Sequence, residues 1–114
     1  MSLAIRLVPE ICRSVGFASI NGVYIGIGTA VTEPIRFLML QNKTDADVML
    51  SFDGVNDTVP LGTGTQWVWD ITANKTTEHG FFLGQGTRIY VKTLWPGDVP
   101  TQGAVFLSTF YGAK

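Results

Sequence analysis

Short runs of apolar and β-branched residues alternate with turn residues along the whole chain. A period of two is clear in Val48–Phe52, in Gln66–Ile71 and in Thr87–Thr93. Successive side chains of a strand point to opposite faces of its sheet, so each of these segments is predicted to bury one face. Turn residues bound such runs at intervals of roughly 8–12 residues, which indicates a β-sandwich or barrel. No segment has the period of a stable helix.

Two segments carry bulky side chains on both faces. Ile35–Gln41 is apolar at almost every position, and Arg36 is its one charged residue. In Ala104–Tyr111, Phe106 and Phe110 alternate with aliphatic residues that belong to the opposite face. Near-continuous apolar strands are typically buried on both sides, so we expect both faces of Ile35–Gln41 to be covered.

Asn21 and Gly22 stand between two apolar runs, Phe17–Ile20 and Val23–Ile25. A two-residue β-hairpin turn of type I′ needs positive φ at both turn positions, which Asn and Gly tolerate better than other residues. The sequence therefore predicts a hairpin with its turn at Asn21–Gly22.

The elements together predict one all-β domain over residues 1–114. It is expected to be a single antiparallel β-sandwich of about eight strands, for which a jelly roll is one arrangement. Residues 1–9 are apolar and extended and are set off from the rest by Pro9. Two interpretations stay open for them: an arm that reaches onto a neighbouring subunit, or the first strand of the chain's own sandwich.

The chain has few charged residues for its size. Hydrophobic residues make up 46% of the 114 positions and charged residues 15%, against roughly 25% charged in an average soluble domain. A surface this poor in charge indicates that a partner covers part of it. We expect contacts in two places: the N-terminal segment, through Leu3, Ile5 and Leu7, and the Pro/Gly-rich loop 94–103, through Trp95.

Charge and hydropathy indicate that neither nucleic acid nor a membrane is a partner of this chain. The formal net charge is −1 and no run of Lys or Arg forms a phosphate-binding patch, so nucleic acid is not an expected partner. No run approaches the ~18 apolar residues of a membrane span, so no membrane is expected either. The N-terminus lacks the pattern of a secretory signal, and Cys12 has no second cysteine to pair with. We therefore expect synthesis in the cytoplasm.

The residue inventory does not supply a catalytic centre. His79 is the one histidine, and a nucleophile–histidine arrangement or a zinc site would need members that the sequence lacks. Neither acidic cluster, Asp45 with Asp47 or Asp53 with Asn56 and Asp57, matches the calcium-loop pattern, and residues 53–57 are better explained as two tight turns. The Gly-rich turns precede strands and not helices. Dinucleotide phosphates usually bind at the N-terminus of a helix after such a turn, so no dinucleotide site is expected. We expect no enzymatic activity, no cofactor or metal, and no small-molecule substrate.

Three tryptophans support an alternative function. Trp67, Trp69 and Trp95 could stack against sugar rings, which would make the chain a carbohydrate-binding β-sandwich module. Alternate tryptophans on one strand more often belong to a core or a protein interface, because burial of aromatic area dominates both. Structural assembly is therefore the preferred interpretation.

Three segments each have a characteristic order of turn and strand residues. Residues 41–48 read QNKTDADV and are followed by SFDG at 51–54. Gly80–Lys92 has the form G-x-x-L-x-x-G-T-x-x-Y-V-K, and Gly103–Gly112 has the form G-x-V-x-L-x-x-x-Y-G. Over residues 35–112 this pattern resembles that of small virion structural proteins of tailed bacteriophages.

The resemblance implies a β-sandwich subunit that is repeated many times in a virion. Such a subunit is expected to form a homo-oligomer and to bind other virion structural proteins. Its place would be either capsid decoration, as a cement protein, or the head–tail connector and tail. The expected mechanism is burial of apolar and aromatic surface, supplemented by strand pairing between subunits at free sheet edges.

Overall fold

A computed structural model describes residues 6–70 and 84–113 of the protein. Within these residues the chain forms nine β-strands and one 3₁₀ turn, and the strand pairs are antiparallel. The elements are β1 Arg6–Pro9, β2 Arg13–Gly16, the 3₁₀ turn Phe17–Ser19, β3 Ile25–Gly26, β4 Ile35–Asn42, β5 Val48–Ser51, β6 Val59–Leu61, β7 Gln66–Asp70, β8 Tyr90–Thr93 and β9 Ala104–Ala113.

The strands lie in two sheets. Sheet A has the order β1-β9-β4-β7, with β2 also paired to β9, and sheet B has the order β3-β8-β5-β6. Strand β2 therefore pairs with β9, β3 with β8, β4 with β7 and β5 with β6. These four pairs form one long antiparallel ribbon that ends at the pair β5–β6. The ribbon is folded over so that its strands lie in two sheets. The predicted antiparallel β-sandwich is confirmed, and its connectivity is that of a jelly roll.

The core lies between the inner faces of the two sheets. In sheet A, Leu40 of β4 stands opposite Leu107 of β9, and both are buried. In sheet B, Leu50 of β5 stands opposite Val91 of β8, and both are buried too. The alternation predicted for Val48–Phe52 and for Thr87–Thr93 thus has the expected face turned inward.

The predicted hairpin at Asn21–Gly22 is wrong. No non-glycine residue in the described part of the chain has a positive φ, whereas a type I′ turn requires one at Asn21. The Asn21 side chain instead accepts a hydrogen bond from the backbone N–H of Val23 (2.8 Å). Its carbonyl accepts one from the N–H of Thr93 (2.9 Å), which ties the segment to β8 and not to the residues before it. The competing interaction is an Asx turn, which asparagine also favours.

Strand β1 lies beside β9 of the same chain, with Leu7 opposite Gly112 and Pro9 opposite Phe110. Residues 1–5 and 71–83 lie outside the described residues. Strands β1 and β2 share one side of β9, because β1 pairs with its C-terminal half and β2 with its N-terminal half.

Candidate interaction surface

The outer face of sheet A, which points away from the core, is built mainly from β4 and β9. Alternate side chains of both strands are buried, so the intervening ones point outward. The register places Phe37 opposite Phe110 and Met39 opposite Ser108 on this side. We refer to one set of outward residues as the apolar face: Leu7, Pro9, Phe37, Met39, Val68, Phe106 and Phe110.

Phe37 and Phe110 form a fixed aromatic pair within the apolar face. Their ring centroids are 5.4 Å apart and their planes make an angle of 75°, an edge-to-face contact. Such a contact is favourable beyond the area that it buries, because the positive edge of one ring meets the negative face of the other. The two rings are therefore held in place before any partner arrives.

The apolar face carries little charge. Its polar neighbours in register are Ser14, Gln41, Gln66 and Ser108. The register puts Asp70 on this side, at the end of the outermost strand β7, and Arg36 lies at the register shift near the start of β4. A partner can therefore cover most of this face without removing an ion from water, a step that is costly unless the ion is paired.

The outer face of sheet B is different in character, because it carries ions and tyrosines. The Tyr24 hydroxyl donates a hydrogen bond to Asp57 (2.5 Å), and the Lys92 ammonium lies 3.2 Å from the same carboxylate oxygen. Lys92 also lies 4.7 Å from the centre of the Tyr24 ring, and Arg88 lies 5.5 Å from that of Tyr90. These are cation–π distances.

Ionisation within this cluster follows from its contacts. Burial of the Tyr24 ring raises the pKa of its hydroxyl, and the Asp57 carboxylate that accepts its proton raises it further. The hydrogen bond from Tyr24 and the contact with Lys92 lower the pKa of Asp57. At neutral pH the cluster thus holds a neutral tyrosine beside a carboxylate, and together with Lys92 they keep the outer face of sheet B polar.

Of the four contact residues predicted from the sequence, Leu3 and Ile5 lie outside the described residues. Leu7 is 45% exposed on β1, next to the C-terminal end of β9, and it belongs to the apolar face. Trp95 is 57% exposed in the turn after β8. The neighbouring Leu94 N–H bonds to the loop 43–47, which meets the N-terminal start of β9. Leu7 and Trp95 therefore lie towards opposite ends of the sandwich.

The sequence-based set of contacts omits the centre of the apolar face. Phe37 and Met39 belong to the segment that was expected to be covered on both sides, and Phe106 and Phe110 alternate with core residues of β9. The sequence therefore does indicate these four residues, because it places bulky side chains on both faces of two strands. What the sequence does not give is that these two strands, some 70 residues apart, are neighbours.

A buried ion pair joins the N-terminal strands to the rest of the sandwich. Arg13 Nη1 lies 3.0 Å from Glu10 Oε1, and the side chains are 8% and 6% exposed. The Thr109 hydroxyl of β9 donates to the same Glu10 oxygen (2.8 Å) and accepts from Arg13 (2.9 Å). Thr32 donates to the other Glu10 oxygen through its N–H (3.1 Å) and hydroxyl (2.5 Å), and Arg13 Nη2 donates to the Ala30 carbonyl (3.1 Å).

The two acidic clusters make different contacts: Asp53 accepts hydrogen bonds within its own turn, as predicted for residues 53–57, whereas Asp45 accepts them from a distant segment. The Asp53 carboxylate accepts hydrogen bonds from the N–H groups of Val55 and Asn56, each at 2.8 Å. The Asp45 carboxylate accepts one from the Thr101 N–H at 2.7 Å and another from the Thr101 hydroxyl. Within residues 6–70 and 84–113, no three His, Cys, Asp or Glu side chains are grouped so that they could hold a metal ion. His79 lies outside those ranges.

The tryptophans do not form one exposed platform. Trp67 and Trp69 face the inner side of sheet A, where they stand opposite Leu40 and Leu38. Their rings stack at 6.0 Å and both meet Phe52 edge-on at 6.1 Å. Both pack against the core, whereas Trp95 is carried by the turn after β8. The carbohydrate-binding alternative is left with Trp95 as its exposed stacking residue.

Comparison of the chain with protein-family models, with curated proteins and with solved structures gave no match. The described part of the chain also contains no helix long and apolar enough to cross a membrane.

Proposed function

We propose that this chain is a non-catalytic structural subunit of a tailed-phage virion. It acts by oligomerising and by packing on other virion proteins, as a capsid decoration protein or as part of the head–tail connector or tail. The sequence pattern over residues 35–112 supports the phage origin. The jelly roll is compatible with it, because this architecture recurs in viral capsid proteins, although it occurs in lectins too.

The apolar face is the observation that carries this proposal. Phe37, Met39, Phe106 and Phe110 are half-buried in the single chain and have a pre-positioned aromatic pair among them. Protein interfaces are enriched in aromatic residues and methionine and poor in charge at their centres, which is the composition found here. Aromatic anchors at such centres also contribute most of the binding energy.

The test uses virions of the phage that encodes this chain. Mass spectrometry of purified particles should detect the chain in many copies, and gold-labelled antibody should place it on the shell or at the tail-bearing vertex. Particles grown with a tagged copy should incorporate the wild-type chain and exclude the Met39→Glu variant by at least tenfold. Complete, tailed particles that lack the chain would refute the proposal.

The matched control is Met49→Glu. Met49 is half-buried like Met39, and it points outward from a central strand of sheet B, where its register partners are Lys92 and Pro60. The same chemical change is therefore made on the other outer face. Circular dichroism and the urea midpoint should show that both variants are folded, and Met49→Glu should enter particles like the wild type.

A further inference from the structure

We propose that the occupant of the apolar face is a second copy of this chain, packed sheet to sheet about a two-fold axis. The inference rests on the proposed function in that it names the partner for the same surface. It goes further because it assigns a symmetry. In a two-fold contact the same patch of both subunits takes part, so the patch must be complementary to itself.

The distribution of charge favours a self-contact over a contact between unlike faces. If the apolar face packed on the outer face of sheet B, the ion pair of Asp57 with Lys92 would be removed from water against phenylalanine rings. Burial of ions in such surroundings is costly even when they are paired. An apolar face packed on its own copy removes no ion at its centre around Met39, because Asp70 stands at the end of strand β7 and Arg36 lies near the start of strand β4.

The size of the face matches what a stable pair requires. Sheet A is four strand positions wide, with ten residues in β9, eight in β4, eight in β1 and β2 together and five in β7. At about 3.4 Å per residue and about 4.8 Å between strands, the flat area is roughly 500 Å² for each copy and about 1,000 Å² for the pair, which reaches the ~1,000 Å² expected of a specific interface. Two sheets packed in this way lie about 10 Å apart with their strands rotated by about 30°.

The position of the axis follows from the position of the central strands. Strands β4 and β9 form the middle of sheet A, and the pair Met39–Ser108 lies midway along their shared register. A two-fold axis that overlaps most of the two faces passes near this pair. Met39 of one copy is then close to Met39 of the other, which makes this residue a sensitive probe of symmetry.

Sedimentation equilibrium tests the pairing directly. The wild type and the control Met49→Glu should be dimers at concentrations of tens of micromolar. Met39→Glu and Met39→Lys should each weaken the dimer by at least tenfold, because like charges then face each other without water. An equimolar mixture of these two variants should regain the dimer, since opposite charges meet across the axis. A head-to-tail contact would not regain it, and this outcome would overturn the two-fold assignment.

The reaction rate of the Cys12 thiol is a second measure of the contact, and it does not depend on the mass of the particles in solution. Cys12 is exposed, and its sulphur lies 3.8 Å from the Ser108 hydroxyl, beside the central pair. A bulky maleimide should react with it at least tenfold more slowly in the dimer than in the Met39→Glu monomer. Equal rates in the two proteins would contradict a contact over this face.

The failure of this inference is distinguishable from that of the proposed function. A wild-type chain that is monomeric at 100 µM but enters virions in a Met39-dependent way has another virion protein on its apolar face. This outcome overturns the self-contact and leaves the virion role standing. A chain that dimerises as described but is missing from virions supports the self-contact and refutes the virion role.

Discussion

The guanidinium of Arg13 and the carboxylate of Glu10 meet at 3.0 Å with both side chains more than nine-tenths buried. The pair lies where β1 ends and β2 begins, and it is completed by Thr109 of β9 and by the loop that contains Thr32. The position of the N-terminal strands against β9 therefore depends on polar contacts as well as on apolar packing.

Loss of one member of this pair should destabilise the fold strongly. Glu10→Gln leaves the Arg13 charge buried without its counter-ion, and we expect the free energy of unfolding to fall by about 3–5 kcal/mol. Urea denaturation at pH 7 measures the change. The double variant Glu10→Gln with Arg13→Met removes both charges and should lose less than the sum of the single variants. A loss below about 1 kcal/mol in Glu10→Gln would mean that the pair is not buried.

The protein should lose stability in acid. Burial alone would raise the pKa of Glu10, but hydrogen bonds from Thr32, Thr109 and Arg13 lower it below the ordinary value of 4.5. The N–H groups of Asn56 and Val55 lower the pKa of Asp53 below its ordinary 3.8. As the pH falls, the unfolded chain therefore binds protons first, so stability present above these ordinary values is lost progressively below them.

The measurement for this prediction is the urea midpoint between pH 7 and pH 2.5. The midpoint should stay level down to about pH 5 and then decline, in line with the ordinary pKa values of carboxylates. Asp53→Asn should show a shallower decline than the wild type, because it removes one of the carboxylates whose pKa the fold lowers. A midpoint that is constant down to pH 2.5 would contradict the prediction.

Gly103 should tolerate no side chain, whereas Gly97 should tolerate a methyl group at modest cost. Both have positive φ, +88° and +82°, so alanine is strained at either position by about 1–2 kcal/mol. A Cβ at Gly103 would also lie 2.0 Å from the Lys43 carbonyl oxygen, whereas nothing lies within 4 Å at Gly97. We expect Gly103→Ala to lose a further 1–3 kcal/mol or more, measured by thermal or urea unfolding. Equal losses would show that the close approach of the two backbones does not exist.

Phe52 should matter for stability more than its half-exposed position suggests. It meets both Trp67 and Trp69 edge-on, and these rings close the core between β5 and β7. Phe52→Ala should lower the free energy of unfolding by about 2–3 kcal/mol and change the near-ultraviolet circular dichroism of the tryptophans. Val55→Ala is the control, because Val55 is 77% exposed and its truncation should cost less than about 0.5 kcal/mol.

The sandwich could be predicted because its strands carry local signals. Val48–Phe52 and Thr87–Thr93 show their inner faces through alternation alone, and Ile35–Gln41 is a strand in the structure within one residue of its predicted end. The hairpin at Asn21–Gly22 could not be excluded locally, because the decisive bond is to Thr93, far along the chain. Asn and Gly are compatible with more than one type of turn, and contacts with distant residues determine which type forms.

The sequence predicts only part of the candidate surface. Its low charge predicts that a partner covers some of the outside, and of the contact residues predicted with it, Leu7 lies on the apolar face. The centre of the apolar face requires the pairing of β4 with β9, which no local pattern reports. The Glu10–Arg13 pair was also missed, because Thr109, its main support, is 96 residues from Arg13 in the chain.

The strand order also sets when the apolar face can form during synthesis. Strand β9 is the last of the nine to be synthesised, yet it lies in the middle of sheet A between β4 and the N-terminal strands. Until Ala104–Ala113 has left the ribosome, Phe37 has no aromatic neighbour and β4 has one open side. A truncated or unfinished nascent chain therefore cannot form the apolar face, because Phe106 and Phe110 are contributed by its last strand.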